Sequence, residues 1–353
     1  MYQNVQVLMR FAVLLFFLSS TLQTGNAAMV ISVSQRTHAN FTTIQQAVDA
    51  APSHSLSKTL ISIDSGTYTY VVYCLKHMIL LAYSPIQTDY DILCREKVVV
   101  HKNKTNLIFQ GKGYRNTIIE WNDTAKSAHG TGYSASVHIL GTNFTAYNIS
   151  FQNTSPRPDG GYGEMAVAIN VEADQAAFLG CGFFGFQDTL LDKFGKHYYK
   201  DCFIDGATDF IWGNGRALFE ECTLNVNATK KKKGFSGIIT AHARPSPEHN
   251  TGFSFVGCKI IGSGNAWLGR AYRPYARVVF INTKMADVVS LEGWNDFRNR
   301  TNQGTVYFGE YNSTGPGANS TGRVPYSKQL SLKEMLPFSN ISYIEGEKWL
   351  PFM

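Results

Sequence analysis

Two aspartates stand at a spacing that suggests a pair of carboxylates working together. Asp188 lies in the motif GFQDTL, and Asp209, twenty-one residues later, begins the motif DFIWG. A carboxylate set directly into an apolar run such as Phe210 to Trp212 is costly to bury unless something pairs with it or uses it. The alternative is that each aspartate merely ends a strand in a turn, but two in one register favour a shared site.

The chain around these aspartates repeats with nearly the same period. An aromatic residue stands three positions before a cysteine four times, and short alternating apolar segments typical of strands follow. The pairs are Phe178 and Cys181, Tyr199 and Cys202, Phe219 and Cys222, and Phe255 and Cys258. Such a period indicates stacked coils. Equivalent positions on neighbouring coils of a parallel β-helix lie ~4.8 Å apart, so we predict that Asp188 and Asp209 are near neighbours.

Composition and the amino terminus favour one exported domain. Of 353 residues, 44% are apolar and 16% are charged, which is enough to bury a large core. Arg10 precedes an apolar run from Phe11 to Leu18, too short for an ordinary membrane span, and small residues follow. We predict a signal peptide over residues 1–28, a mature domain over residues 29–353, secretion, and no membrane association. A buried hydrophobic helix is the alternative to the signal.

Charge, sequons and cysteines agree with export. The formal charge of +6 suits an acidic partner, whereas scattered basic residues argue against nucleic acid, and the lysines at 230–233 are interpreted as a solvated loop. Eleven Asn-x-Ser/Thr sequons are present. We expect Asn143 and Asn148, in an alternating strand pattern, to be laddered or inward and unmodified. The four repeat cysteines would form one column, suited to disulfides or to packing as buried thiols, and packing is favoured.

At these motifs the chain resembles the plant pectin methylesterases, secreted enzymes that remove methyl esters from cell-wall homogalacturonan. The resemblance runs from about Ile31 to Pro351 with one interruption, and further motifs follow in the family's order. They are FTTIQQAV (41–48), ITAHAR (239–244), LGRAY (268–272) and GW (293–294). The resemblance implies an all-β fold, a single-stranded right-handed parallel β-helix, in the short form without an inhibitor-like pro-region.

The resemblance also implies a catalytic set. Asp209 matches the nucleophile, and Asp188 matches the general acid/base. Gln187 matches an oxyanion-hole residue, and Arg270 matches the arginine that orients the nucleophile. Ester hydrolysis of this kind needs one carboxylate held ionised and another carboxyl able to donate a proton to departing methanol. An amide donor contributes ~3 kcal/mol to stabilising the oxyanion. No metal or other cofactor is implied.

Aromatic side chains are implied along the substrate cleft. Tyr272, Trp212 and Trp294 match positions where the family places rings, which can cover the apolar faces of sugars. Core packing is the alternative for each. His197 and His242 carry no role in this scheme and are interpreted as structural or solvent-facing.

Position 165 departs from the family at the substrate site. Met165 stands twenty-two residues before Gln187, where the family places a second oxyanion glutamine. A methionine side chain cannot donate a hydrogen bond, which predicts turnover reduced by ~100-fold or more if nothing else takes its place. Compensation by Glu164 is not assumed, because its ionised carboxylate would oppose the developing charge; a backbone N–H or a bound water is the alternative donor.

An inserted segment is the other departure. Gly66–Tyr68 can be joined directly to Arg95–Val98, which leaves the 26 residues from Thr69 to Cys94 as an interruption. The segment has no coil pattern and is largely apolar. We hypothesise a translated, unspliced intron or an error in the gene structure. The alternative is a surface loop that splits a strand and exposes an apolar patch.

Three functions compete at this point. The leading one is a pectin methylesterase, expected as a monomer that acts on pectin in the cell wall, with a pectin methylesterase inhibitor protein as a partner known for the family. A pectin lyase or hydrolase would share the stacked coils and the acidic substrate. The third is a pectin-binding relative in which Met165 has weakened or abolished the chemistry.

Overall fold

The computed structural model describes residues 27–73, 93–158, 163–228, 237–297 and 299–351. Three predictions therefore concern residues that lie largely outside these ranges. They are the signal peptide, the central part of the inserted segment and the lysine run at 230–233.

Parallel strands build three sheets within the described residues. Sheet 1 contains β1 (Ala27–Val33), β2 (Lys58–Ile63), β7 (Leu107–Gln110), β10 (Phe144–Tyr147), β13 (Ala176–Leu179), β16 (Lys196–Lys200), β19 (Arg216–Glu220), β22 (Gly252–Val256), β25 (Arg277–Ile281), β28 (Tyr307–Tyr311) and β29 (Ser327–Gln329). Sheet 2 contains β3 (Gly66–Tyr68), β8 (Thr117–Trp121), β11 (Ser150–Asn153), β14 (Gly182–Phe184), β17 (Phe203–Gly206), β20 (Thr223–Asn227), β23 (Lys259–Ser263) and β26 (Lys284–Met285). Sheet 3 contains β6 (Val98–Val100), β9 (Val137–Ile139), β12 (Ile169–Val171), β15 (Leu190–Asp192), β18 (Ile211–Gly213), β21 (Gly237–His242), β24 (Ala266–Arg270) and β27 (Trp294–Asn295).

The chain visits the sheets in turn, which confirms the predicted parallel β-helix. From β7 to β27 each coil contributes one strand to sheet 1, one to sheet 2 and one to sheet 3. The repeat positions stack as expected, because Tyr199 pairs with Phe178 on one side and with Phe219 on the other. Their rings lie 5.0 and 4.4 Å apart, centroid to centroid. Stacked rings and apolar strand faces form the interior of the coil.

The corner between sheets 1 and 2 explains the residue before each repeat cysteine. These residues have left-handed φ angles of 60°, 52°, 56° and 64° at Gly180, Asp201, Glu221 and Gly257. The turn lets the next side chain point inward, and the four cysteines Cys181, Cys202, Cys222 and Cys258 are buried free thiols. The expectation of packing rather than disulfides is confirmed for this column.

Short helices cover an end and a side of the coil. Helix α1 (Ile44–Ala50) is capped by the Thr43 side chain, which accepts a hydrogen bond from the Gln46 N–H. Helix α2 (Leu332–Met335) and the residues after it bury apolar side chains against the outer face of sheet 1. The single-turn 3-10 helices are Thr131–Ser134, Arg300–Gly304, Pro316–Ala318, Leu336–Phe338, Ile341–Ile344 and Gly346–Lys348. In the described part of the chain, no helix is both long and apolar enough to cross a membrane.

The inserted segment leaves the coil at a corner. Gly66–Tyr68 belongs to sheet 2, whereas Val98–Val100 belongs to sheet 3. Between them, β4 (Tyr70–Tyr73) and β5 (Leu93–Glu96) pair antiparallel, outside the three sheets. The expectation that a loop at this place would split a strand is wrong, because the insertion begins after one strand has ended and returns before the next begins.

The two sequons expected to be blocked differ in their surroundings. The side-chain amide of Asn143 donates to Asn106 in a ladder between coils, as expected. Asn148, in contrast, is exposed in a left-handed turn with φ 54°. The prediction that Asn148 is laddered or inward is therefore wrong, because the residue lies at the corner rather than within a strand.

Candidate active site

The two aspartates lie one above the other at the corner between sheets 2 and 3. Asp188 precedes β15 and Asp209 precedes β18, and the flanking residues are in parallel register on adjacent coils. The Asp188 N–H donates to the carbonyl of Thr208 at 3.0 Å. The neighbourhood predicted from the spacing is confirmed.

The corner gives both aspartates the same unusual backbone. Their φ angles are 65° at Asp188 and 49° at Asp209, in the left-handed region. Aspartate is among the few residues other than glycine that adopt this region with any frequency. Each side chain is nearly buried, with 8% and 7% exposure respectively. The site is therefore a nearly buried corner at which a small part of each aspartate remains accessible.

Arg270 reaches Asp209 from two coils away. Its Nε donates to Oδ1 of Asp209 at 2.8 Å, and its Nη2 donates to Oδ2 at 2.6 Å. Such a two-point pair combines charge with fixed geometry. The register places Ala241 between Trp212 and Arg270, and this small side chain leaves room for the arginine to extend back across β21. The fork fixes the orientation of the Asp209 carboxylate.

Asp188 is in a different electrostatic state from its neighbour. Burial and then the negative charge of Asp209 raise the pKa of Asp188 well above its ordinary value, against the opposing charge of Arg270. Burial and a nearby like charge both favour the neutral form of a carboxyl group. The pair is therefore asymmetric, because Arg270 binds Asp209 through two hydrogen bonds whereas the pKa of Asp188 is raised.

The two positions that the family resemblance assigned to the oxyanion hole lie on adjacent coils. Gln187 is half-buried and directly precedes Asp188, and its carbonyl accepts from the Ala166 N–H at 3.2 Å. This contact puts Met165, also half-buried, one coil below Gln187. The place where the family resemblance implied a second donor is thus beside the first, but its side chain cannot donate.

Two of the predicted aromatic side chains meet at the site. Trp212 is half-buried, and its Nε1 donates to the Asp188 carbonyl at 3.2 Å. Its ring lies edge to face with Tyr272, with centroids 6.2 Å apart and an angle of 89°. Tyr272 is 38% exposed. Both rings therefore border the opening above the aspartates, where a sugar ring could lie against them.

Sequence and structure comparisons decide the family. The family model Pectinesterase matches residues 90–347. This chain belongs to the pectinesterase family. Putative pectinesterase 14 of Arabidopsis thaliana is 49% identical over 332 residues, which cover 94% of this chain and 91% of the relative. Probable pectinesterase 8 of Arabidopsis thaliana is 45% identical over 317 residues, covering 89% of this chain and 74% of the relative.

A solved structure agrees with this assignment. The pectin methylesterase from carrot superposes with a TM-score of 0.78 at 30% identity, over 91% of this chain and 94% of that one. Similarity on this scale covers the stacked coils and the corner that holds the aspartates.

One predicted cleft residue of this pectinesterase lies in the core instead. Trp294 is 1% exposed, and its Nε1 donates to Oε1 of Glu310 at 3.1 Å. Its ring stacks on Phe308 at 4.5 Å. The prediction that Trp294 contacts substrate is wrong, because its side chain points into the coil. The indole ring packs closely against β24, because a Cβ added at Gly269 would lie 3.2 Å from it.

Three residues near the pectinesterase site were missed in the sequence. Phe297 is 50% exposed and covers Arg270, with the guanidinium carbon 4.0 Å from the ring centre. Arg157 lies over the half-buried ring of Phe186, at 4.9 Å, and donates to Asn227 Oδ1 at 2.7 Å. Phe186 directly precedes Gln187 in the motif GFQDTL, so the sequence could have indicated its place near the site. The other two come from loops whose paths carry no periodic pattern.

The histidines are structural in this pectinesterase. His197 is fully buried, with Nδ1 2.8 Å from Asp192 Oδ2 and Nε2 2.7 Å from the Ala173 carbonyl. His242 is also fully buried, and its Nδ1 accepts from the Arg277 N–H at 3.2 Å. Of the two alternatives left open, structural and solvent-facing, the structural one is confirmed for both. In the described ranges, no group of three or more His, Cys, Asp or Glu side chains could hold a metal ion.

Proposed function

We propose that this pectinesterase is an extracellular pectin methylesterase that hydrolyses the methyl esters of homogalacturonan, with Asp209 as nucleophile and Asp188 as general acid/base. The observation that carries the proposal is the asymmetric pair at the corner. One carboxylate is gripped by Arg270 through two hydrogen bonds, and the other has a raised pKa. A lyase would need a base that removes a sugar proton, and an aspartate neutralised by an arginine fork is poorly suited to that.

The first half of the reaction forms an acyl-enzyme. An oxygen of Asp209 attacks the ester carbonyl carbon, and the π electrons move onto the carbonyl oxygen. The Gln187 amide donates to this oxyanion. When the tetrahedral intermediate collapses, the bond to the methoxy oxygen breaks and Asp188 gives that oxygen its proton. Methanol leaves, and the galacturonyl group remains joined to Asp209 as an anhydride.

The second half restores both aspartates. Asp188, now ionised, takes a proton from water as the water oxygen attacks the galacturonyl carbon. Collapse of the second tetrahedral intermediate breaks the bond to Asp209, whose carboxylate returns to the Arg270 fork. The products are a free galacturonate carboxyl group and the original enzyme. One proton carrier therefore serves both steps.

Met165 is the observation that favours a second candidate function. With one amide donor in place of two, the oxyanion receives less stabilisation, and each such donor accounts for a factor of ~100 or more in turnover. A weakly active or non-catalytic protein that binds pectin through Trp212, Tyr272 and the rim cation Arg157 is the alternative. It differs from the leading proposal in binding pectin without releasing methanol.

Export and glycosylation belong to the same proposal. Asn299, Asn319 and Asn340 are exposed sequon residues whose side-chain oxygens accept backbone N–H groups two residues on. These asparagines are accessible acceptors on the carboxyl-terminal loops. We place the protein in the cell wall as a monomer, with a pectin methylesterase inhibitor protein as a partner.

The deciding experiment is methanol release from highly methylated pectin by the purified secreted chain. We expect release that is unchanged by a chelator and absent in Asp209→Asn. Release of unsaturated oligomers, detected by their ultraviolet absorbance, would instead indicate a lyase. Pectin binding without methanol, by a protein with a cooperative thermal transition, would support the non-catalytic alternative. Glycan occupancy at Asn299, Asn319 and Asn340 in the secreted chain, measured by mass spectrometry, tests export independently.

A further inference from the structure

The guanidinium of Arg270 is enclosed on more than one side. Its central carbon lies 4.0 Å from the ring centre of Phe297 and 4.9 Å from that of Tyr272. Nε and Nη2 are used by Asp209, but Nη1 is buried without a hydrogen-bond partner. A buried donor left unpaired normally costs free energy. The rings of Phe297 and Tyr272 are the aromatic groups that lie against this guanidinium.

Phe297 is held in place by the strand next to Arg270. Asn295 pairs with Arg270 in the register between β24 and β27. The side chain of Asn295 accepts from the Phe297 N–H at 2.7 Å and closes a tight turn. Phe297 itself has φ 57°, in the left-handed region. The loop thus accepts a strained backbone at the residue whose ring lies nearer to the arginine, and this ring remains 50% exposed.

We infer that Phe297 is a positioning residue for the nucleophile: its ring stacks on Arg270, excludes water from Nη1 and keeps the other two donors aimed at Asp209. An arginine guanidinium is planar and weakly hydrated, so it stacks well on aromatic rings. The attraction of a cation to a ring face is worth ~0.5–1 kcal/mol when exposed and ~2 kcal/mol or more when dry. The inference rests on the proposed function, because it assigns Phe297 to the orientation of Asp209.

The competing role for an exposed ring beside a cleft is direct contact with sugar. The two roles predict different kinetics. A ring that binds substrate contributes equally to the ground state and the transition state, so its loss raises KM. A ring that orients the nucleophile lowers kcat when removed and leaves KM nearly unchanged. In the second case the ring acts on Asp209 through Arg270.

The kinetic test compares Phe297→Ala, Phe297→Leu and Phe297→Tyr on highly methylated pectin. We expect kcat to fall by ~5- to 30-fold in Phe297→Ala, the fold-change that corresponds to the cation–ring attraction, with KM within a factor of ~2. Phe297→Tyr should keep most of kcat, whereas Phe297→Leu, with similar bulk but no ring face, should not. A raised KM with unchanged kcat, or full activity in Phe297→Leu, would overturn the inference.

A second measurement does not depend on turnover. Hydrogen exchange at the Nε–H of Arg270, followed by NMR on protein labelled at arginine, should be several-fold faster in Phe297→Ala than in wild type and unchanged in Phe297→Tyr. The control is Leu336→Ala, since Leu336 is 54% exposed and lies by helix α2. Unchanged exchange in Phe297→Ala would overturn the inference even if the wild type released no methanol. Absent methanol with accelerated exchange would leave it standing and reject the proposed function alone.

Discussion

Two acidic clusters lie on neighbouring coils of this pectinesterase, and they differ in how completely they are closed off from solvent. Asp188 and Asp209 occupy the corner, with 8% and 7% exposure, while Asp192, four residues after Asp188, has none. Oδ2 of Asp192 accepts from the Tyr199 hydroxyl at 2.7 Å and lies 2.8 Å from His197 Nδ1. The corner pair meets the buried side chain of Arg270, whereas Oδ2 of the inner carboxylate meets only the buried groups of Tyr199 and His197.

The difference teaches that burial of a carboxylate does not by itself indicate catalysis. The inner cluster is closed even to small additions, because a Cβ on Gly215 would lie 1.6 Å from Oδ1 of Asp192. At the corner, both aspartates have a left-handed backbone and keep some exposure, and the rings of Trp212 and Tyr272 lie beside them. Residual exposure at the corner separates the two proposed catalytic acids from Asp192.

The largest expected contrast comes from one amide substitution in each cluster. Asp209→Asn removes the nucleophile, so methanol release should fall by ~10⁴-fold or more, as when a nucleophile is deleted from other hydrolases. Asp192→Asn should leave kcat of the folded protein near wild type. It should lower the free energy of unfolding by ~1–3 kcal/mol, because it weakens the buried hydrogen bonds that Asp192 makes with Tyr199 and His197.

Methanol assays and chemical denaturation of both variants test this contrast. If Asp192→Asn lost activity without losing stability, the inner cluster would belong to the catalytic machinery. If Asp209→Asn kept its activity, the assignment of the nucleophile would fail.

Repairing the oxyanion site should have the next largest effect. Met165 lies one coil below Gln187, so Met165→Gln places a second amide donor beside the first. We expect kcat to rise by up to ~100-fold, with little change in KM. Met165→Leu is the matched control, since it changes the side chain without adding a donor, and it should show no gain. Equal rates in the glutamine and leucine variants would indicate that another group already stabilises the oxyanion.

A rise in pH should change activity through the corner pair and stability through the inner cluster. The free enzyme needs Asp188 protonated, and the pKa of Asp188 is raised by burial and by Asp209. The value of kcat/KM for methanol release should therefore fall as pH rises through the folded pKa of the pair. The pH profile of wild type is compared with that of Asp188→Asn, whose residual activity should lack this alkaline decline. A wild-type profile without an alkaline limb would contradict the role of Asp188 as acid.

Stability should respond to the inner cluster instead. Although burial acts to lower it, the charge and hydrogen bond of Asp192 raise the pKa of His197 above its ordinary value. This contribution to folding is complete below the ordinary histidine pKa of ~6.5. It is lost as pH rises through the higher folded pKa. Burial lowers the pKa of His242 to about 3, which gives the opposite sign, stability lost as pH falls below ~6.5.

Denaturation curves across pH separate the two histidines. His197→Gln should flatten the decline of unfolding free energy above neutral pH and leave the acid side unchanged. His242→Gln should do the reverse. A common response of both variants on one side of neutrality would show that the buried ion pair does not control the alkaline decline.

The sequence predicted the stacking and the acidic pair because both follow from a regular period. Asp188 and Asp209 are one coil apart in the sequence and in space, and Phe178 with Tyr199 is equally regular. Trp294 was misplaced because a motif identifies a position but not which way its side chain points. Phe297 was missed because its contact depends on the path of a loop that has no period. The inner cluster was missed because Asp192 and His197 meet across a turn.

The smallest expected effect concerns the rim of the catalytic cluster. Arg157 is exposed and stacks on Phe186 beside Gln187, so its charge is available to the carboxylates of partly demethylated pectin. Arg157→Ala should raise KM by ~2- to 5-fold at low salt, the range of exposed ion pairs, and kcat should stay constant. The difference should fade near 1 M salt, where the screening length is ~3 Å.

Arg115→Ala is the matched control. Arg115 also stacks on a ring, that of Tyr114 at 5.5 Å, and this ring packs with Phe203 of sheet 2. A KM change that persisted at high salt would mean that Arg157 acts by packing on Phe186, whereas equal changes in both variants would place the effect in the overall charge of the protein.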